Sequence, residues 1–215
     1  VGRKAVIIIF LVLVIDQVSK IWIKTNMHLD ESIAVFGDWF FIHFIENPGM
    51  AFGLEFGGET GKIFLSLFRI VAIIFIGIYL RGLIKKSAPW GLIVSVALVF
   101  AGAAGNIIDS TIYGLIFSES PPLPIVASMF PEGGGYSSIL QGKVVDMLYF
   151  PIIDTNWPEW VPWLGGDRLQ FFRPIFNVAD SSITIGMALI LINQKRFFKE
   201  EQKLGDQVEA EQNPK

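Results

Sequence analysis

The sequence predicts a mainly α-helical membrane protein with four transmembrane helices, a small extracytoplasmic β-sheet and an outer loop insertion. Three observations carry that prediction. The 215 residues are 52% hydrophobic and only 17% charged, with mean hydropathy +0.53, whereas soluble domains carry about a quarter charged residues. Four stretches approach the roughly 20 apolar residues that a bilayer-spanning helix needs. Between the first two lies an aromatic and β-branched segment punctuated by Gly and Pro, the pattern of short strands and turns.

The first span covers 5–23, AVIIIFLVLVIDQVSKIWI. Its length, its lack of a small-residue cleavage site, and Asp16 and Lys20 near its end set it apart from a cleaved signal peptide. Asp16 and Lys20 lie four residues apart, acid before base, so they share a helix face and suit a structural ion pair. Residues 35–57 are expected to form strands with turns at Gly37-Asp38 and Pro48-Gly49. The second span, 63–83, carries Arg69, expected to snorkel toward the outer interface. The third, 90–108, ends in A-G-A-A-G-N-I-I-D, small residues that let backbones approach, with Asn106 and Asp109 near the outer surface. Residues 111–142 contain SPPLP and PEGGGYSS and are expected to be a flexible surface loop. An apolar strand-like run, Lys143–Met147, then carries one carboxylate, Asp146. Segment 156–166, NWPEWVPWLGG, places Trp157, Trp160 and Trp163 close together, as in an interfacial belt. The fourth and shortest span, 176–192, has Asp180 about one turn below its start, and 200–215 is a polar, frayed tail. Residues 1–199 form one domain.

Charge sets the orientation. With both termini cytoplasmic, the inner segments hold Arg3, Lys4, Arg81, Lys85, Lys86 and the basic residues of the C-terminal tail, ten of the 17 in all; an excess of Lys and Arg marks the cytoplasmic side. The ionisable residues near the ends of the spans then cluster at the outer face.

Composition also narrows the chemistry. Without Cys, and with only two His, there is no thiol nucleophile and little material for a metal site; no metal and no cofactor are expected. A net charge of −3 gives no case for a nucleic-acid partner. No G-x-S-x-G occurs, and Ser19 and Lys20 are adjacent on a helix and point apart. Topology instead brings Asp109, Asp146 and Asp180 to one membrane face. Two close carboxylates cannot both ionise easily, so a pair sharing a proton could activate water. On spacing alone, an ion or proton pathway through Asp16, Asp109 and Asp180 stays open.

Five blocks in order, D-Q-V-S-K (16–20), N-P-G-M-A-F-G (47–53), A-G-A-A-G-N-I-I-D (101–109), V-V-D-M (144–147) and F-N-V-A-D-S (176–181), resemble the lipoprotein signal peptidases, signal peptidase II. The resemblance implies a monomeric aspartic endopeptidase of the bacterial inner membrane. Its partners would be membrane lipid and a lipidated prolipoprotein, cut just before the diacylglyceryl-modified Cys. It implies Asp146 and Asp180 as the catalytic pair, with Asn47, Gly49, Asn106 and Asn177 lining the site. Asp16 and Lys20 would be a structural pair below it, and Asp109 structural rather than catalytic. The 35–57 sheet would cradle substrate. Two departures stand out: Ser110 occupies a position where the family usually has Arg, and about 36 residues separate Asp109 from Asp146, more than in many members. Arg69 and Arg173 are both candidates for the missing cation.

Overall fold

The first apolar run forms one long helix, α1 (Gly2–Asn26), followed by a hairpin of β1 (Ser32–Phe36) and β2 (Phe40–Asn47). Gly37, at φ +48°, makes the hairpin turn, a conformation that costs glycine little. A computed structural model describes residues 1–48, 58–121, 124–151, 153–171 and 174–212; the rest of the expected 35–57 sheet, Gly49 included, lies outside them. Helices α2 (Gly58–Lys85) and α3 (Trp90–Ile108) are joined by a tight turn. Pro89 caps α3, where its missing N–H costs nothing. The chain continues as a π-helical turn, Asp109–Tyr113, and a short α4 (Gly114–Ile116). Strands β3 (Val144–Tyr149), β4 (Ile153–Asn156), β5 (Arg168–Phe171) and β6 (Ile175–Phe176) precede α5 (Val178–Gln212).

Among the described residues, three helical segments, 2–26, 61–85 and 90–116, have the length and hydropathy to cross a membrane. The first two bury only 17% and 11% of their apolar windows inside the protein, against 44% for the third. Helix α3 is therefore the hub, packing against α1, α2 and α5. Residues such as Phe10, Val14, Phe68 and Phe75 face outward from α1 and α2; in lipid such exposure carries no hydrophobic penalty. Helix α5 starts close to where the fourth span was expected but continues as helix through Gln212, beyond the expected onset of fraying.

Two apolar clusters cap the bundle at opposite ends. One joins Ala5, Leu80, Leu83, Leu92, Val96 and Phe197 among others. The other joins Ile23 and Met27 of α1 to Phe44, Tyr113, Phe117, Val145 and Met147. The residues between them along α1 and α3 include the polar group of the site. Residues 111–142 depart from the expected free loop: Phe117 and Ala127 are buried, Phe117 pairs with Met129, and Tyr136 packs on the second cluster.

The principal sheet is antiparallel, in the order β1-β2-β3-β6. Its register sets Ile45 opposite Asp146, Glu46 opposite Val145 and Asn47 opposite Val144. Because side chains alternate along a strand, Val145 and Met147 enter the core while Asp146 points to the other face. Strands β4 and β5 form a separate two-stranded sheet, whose connecting loop leaves Trp160 and Trp163 at 81% and 98% exposure.

The α3–α5 contact depends on glycine. A Cβ on Gly102 would overlap the Ala179 carbonyl oxygen and lie 2.7 Å from Ile183 Cγ1; one on Gly105 would lie 2.6 Å from Asp16 Oδ2. Ser182 Oγ donates to Leu98 O at 2.9 Å across the same seam. Gly102→Val should therefore force the helices apart and destabilise the fold by about 1–3 kcal/mol, the usual cost of overpacking. A thermal melt in detergent checks this: a clear drop is expected for Gly102→Val, and none for Gly82→Ala, where an added Cβ meets nothing within 4 Å.

Candidate active site

Helix α1 supplies the foundation. Asp16 and Lys20 are fully buried and paired at 2.9 Å, and Lys20 Nζ also reaches Asp109 Oδ2 at 2.8 Å. One ammonium thus bridges two carboxylates from α1 and the π-helical turn. Gln17 completes the arrangement: its Nε2 donates to Asp16 Oδ2 at 3.1 Å and Asp109 Oδ1 at 2.9 Å, and its Oε1 accepts from Tyr113 OH. Both carboxylates then reach outward. Asp16 Oδ1 accepts the Ala179 N–H at 2.8 Å, satisfying the start of α5. Asp109 Oδ2 accepts the Val145 N–H at 3.3 Å, tying down β3 beside Asp146.

Two asparagines link this base to Asp146 and Asp180. Asn106 Oδ1 accepts from Lys20 Nζ at 3.0 Å, while its Nδ2 donates to Asp180 Oδ1 at 2.7 Å. Asn177 Nδ2 donates to Asp146 Oδ1 at 2.7 Å and also reaches Val145 O and Asn106 Oδ1, each at 3.2 Å. Its Oδ1 accepts the Asp180 N–H at 2.8 Å, the N-cap geometry that starts a helix. Asn47 Nδ2 donates to Asp146 Oδ2 at 3.3 Å. Asp146 and Asp180 are thereby joined by a bridge of two amides. Burial first, and then the charge of Asp180, push Asp146 up to about 7, against the lowering effect of the Asn47 and Asn177 donors.

Beside Asp180, a cavity of about 250 Å³ is lined by Arg69, Ala72, Ile73 and Ile76 of α2, Ala103, Asn106 and Ile107 of α3, and Asp180 and Ile183 of α5. Arg69 departs from the snorkelling expectation: it is half-buried and lines this cleft with Asp180. Ser110 is buried and donates to Asn106 O at 3.0 Å, so it closes on its own helix and brings no charge. Arg173 lies outside the described residues, as does Gly49.

Sequence reasoning missed Gln17 and a second buried cluster. Lys24 pairs with Glu46 and donates to Ser120 Oγ at 2.9 Å, and Lys143 reaches Glu46 Oε2 at 3.1 Å. Burial would raise the Glu46 carboxyl, but Lys24 and Lys143 hold it below the usual range. Lys24 continues the four-residue spacing of Asp16 and Lys20, a signal that was present. Among the described residues no group of His, Cys, Asp and Glu could hold a metal ion.

A helical membrane protein with an amide-linked pair of aspartates at one end of its bundle is the class this geometry defines. Residues 8–196 match the family described as signal peptidase (SPase) II. A lipoprotein signal peptidase of Porphyromonas gingivalis (strain ATCC 33277) is 50% identical over 192 residues, 89% of this chain and 82% of that protein. One from Amoebophilus asiaticus (strain 5a2) is 38% identical, over 87% and 76%. Two solved bacterial membrane enzymes superpose with TM-scores of 0.57 and 0.56 at 26% and 29% identity, covering 90% and 89% of this chain and 88% and 92% of theirs. The chain belongs to the signal peptidase II family and is a membrane-integral peptidase.

Breaking the foundation has a predictable outcome. Lys20→Ala leaves Asp16 and Asp109 buried without their ammonium, and removing one partner of a buried pair costs about 3–5 kcal/mol. Expression yield and melting temperature should fall more than the rate per folded molecule, as judged by active-fraction-corrected kinetics.

Proposed function

We propose that this peptidase removes the signal peptide from diacylglyceryl-modified prolipoproteins, cutting just before the lipidated Cys. The observation that carries the proposal is the meeting of Asp146 and Asp180, from two distant sequence blocks, across the Asn106–Asn177 bridge at the end of a cleft between helices. Asp180 accepts from Asn106 and sits in the first turn of α5, where the helix dipole favours negative charge; it takes a proton from the attacking water. Asp146, whose proton is retained up to about 7, donates to the scissile carbonyl oxygen. The tetrahedral intermediate collapses as a proton passes to the leaving amine.

The cleft also supports lateral entry of substrate. Helices α2 and α5 flank α3, and apolar Ala72, Ile73, Ile76 and Ile183 line the space between them. A diacylglyceryl anchor would hold the scissile bond at the depth of the dyad, and each buried CH₂ contributes about 0.8 kcal/mol. The same proposal makes α5 the fourth span, puts both termini on the cytoplasmic side of the inner membrane with the dyad on the outer side, and takes the protein as a monomer. Asp16 and Asp109 are both held by Lys20, which disfavours the relay pathway.

Asp146→Asn and Asp180→Asn should each lower cleavage of a purified lipidated prolipoprotein by at least about a thousandfold while leaving the melting temperature close to that of the parent. Substantial turnover by either variant would remove the dyad. The pH dependence has a definite sign: Asp146 must be protonated to act as the acid, so the rate should fall as pH rises through about 7. The folded state also binds a proton at Asp146 that the unfolded chain releases at lower pH, so this group's contribution to stability declines from the ordinary carboxylate range up to about 7. Cleavage of a lipidated prolipoprotein should greatly exceed that of its unmodified precursor in the same detergent; equal rates would overturn the lipid requirement.

A further inference from the structure

We propose that Arg69 is a positioning residue for the dyad, the cation that keeps Asp180 ionised within the membrane-facing cleft. The inference rests on the function proposed above for its consequence in catalysis, but its physical basis is independent of substrate.

An arginine within an apolar span is costly unless something compensates it. Arg69 falls on one stripe of α2 with Lys62, Ser66, Ile73, Ile76 and Leu80, spaced three or four residues apart. That stripe faces the protein: Ser66 and Leu80 are buried, whereas Phe64, Phe68, Val71 and Phe75 on the other side are exposed. Snorkelling along the lipid face would leave Arg69 off the stripe. Instead it lines the cleft together with Asn106 and Asp180 and interacts electrostatically with Asp180.

The other charges around Asp180 do not supply this cation. Asp146 on β3 is a second carboxylate, not a cation, and the charge of Asp180 helps it keep its proton. Behind Asn106, Lys20 of α1 is shared between Asp16 and Asp109, so that cluster carries one carboxylate more than it has ammonium groups. Lys62, on the same stripe of α2, donates to Gln141 O at 2.5 Å, turned toward the outer loop. Asn106 contributes a neutral donor only. Arg69 is thus the charge on the α2 side of the cleft that offsets an accumulation of carboxylates. With Arg69 in place the proton shared by the pair resides on Asp146, and the base and acid roles are assigned before substrate arrives. The guanidinium keeps its charge at any working pH, which makes the bias constant.

The test compares the parent with Arg69→Met and Arg69→Lys. Carboxyl bands of the substrate-free protein are titrated by infrared difference spectroscopy, using Asp180→Asn to identify the Asp180 band, and the pH profile of kcat/KM is measured with a lipidated prolipoprotein. In Arg69→Met the acid limb of the profile and the Asp180 band transition should both move to higher pH by about one unit, with KM changed less than kcat, and Arg69→Lys should restore most of the shift. Profiles and titrations that superpose on those of the parent would overturn the inference, as would equal shifts in the Met and Lys variants, which would indicate packing rather than charge. Arg69→Gln replaces Arg69→Met if the latter melts markedly lower. Should the parent cleave no lipidated substrate, the proposed function fails, while the infrared titration still decides the role of Arg69.

Discussion

Lys20 Nζ sits between Asp16 and Asp109 with no access to solvent, and most of the site's geometry descends from that contact. A buried ammonium with two carboxylates is stable only if the remaining lone pairs and protons find partners. Here they do. Asp16 takes the Ala179 N–H, Asp109 takes the Val145 N–H, and Asn106 takes the remaining reach of Lys20. Each of these bonds fixes a different element: the start of α5, the strand that carries Asp146, and the C-terminal end of α3. A charge cluster that would be a poor source of net stability in a soluble core is here the joint where three elements meet.

The two amides above it convert that joint into an orientation. Asn106 presents its oxygen to Lys20 and so its NH₂ to Asp180; Asn177 presents its oxygen to the Asp180 N–H and so its NH₂ to Asp146. An Asn flipped at either place would set oxygen against carboxylate, so the network admits one arrangement. The proposed base and acid are then distinguished by surroundings rather than by residue type: Asp180 has a helix start and the α2 side of the cleft, while Asp146 is buried in the sheet.

The insertion and the sheet are braced from behind. Glu46 and Asn47 are neighbours on β2 and face opposite sides. Asn47 touches Asp146, whereas Glu46 meets Lys24, Lys143 and Ser120. Tyr136 adds its ring to both lysines and its hydroxyl to the Lys143 N–H. The loop between Asp109 and Asp146 is in this way attached to the sheet through Glu46 of β2, on the side away from Asn47 and Asp146.

The four apolar runs, the small-residue seam at 101–105, the strand character around Asp146 and the pairing of Asp16 with Lys20 were legible in the sequence, because run length, residue size and i, i+4 spacing are local properties. The blocks also carried the family. The sequence did not reveal that Lys20 serves Asp109 as well as Asp16, that Gln17 ties both carboxylates together, that Glu46 draws in Lys24 and Lys143, or that Arg69 lines a cleft with Asp180. Each of these includes a contact across 22 or more positions, and which side of a span faces protein is set by how neighbouring helices pack. Local chemistry determined what this chain could build in a bilayer; the approach of α5 to α3 at Gly102 and Gly105, and the register of β3, decided which of its charges meet.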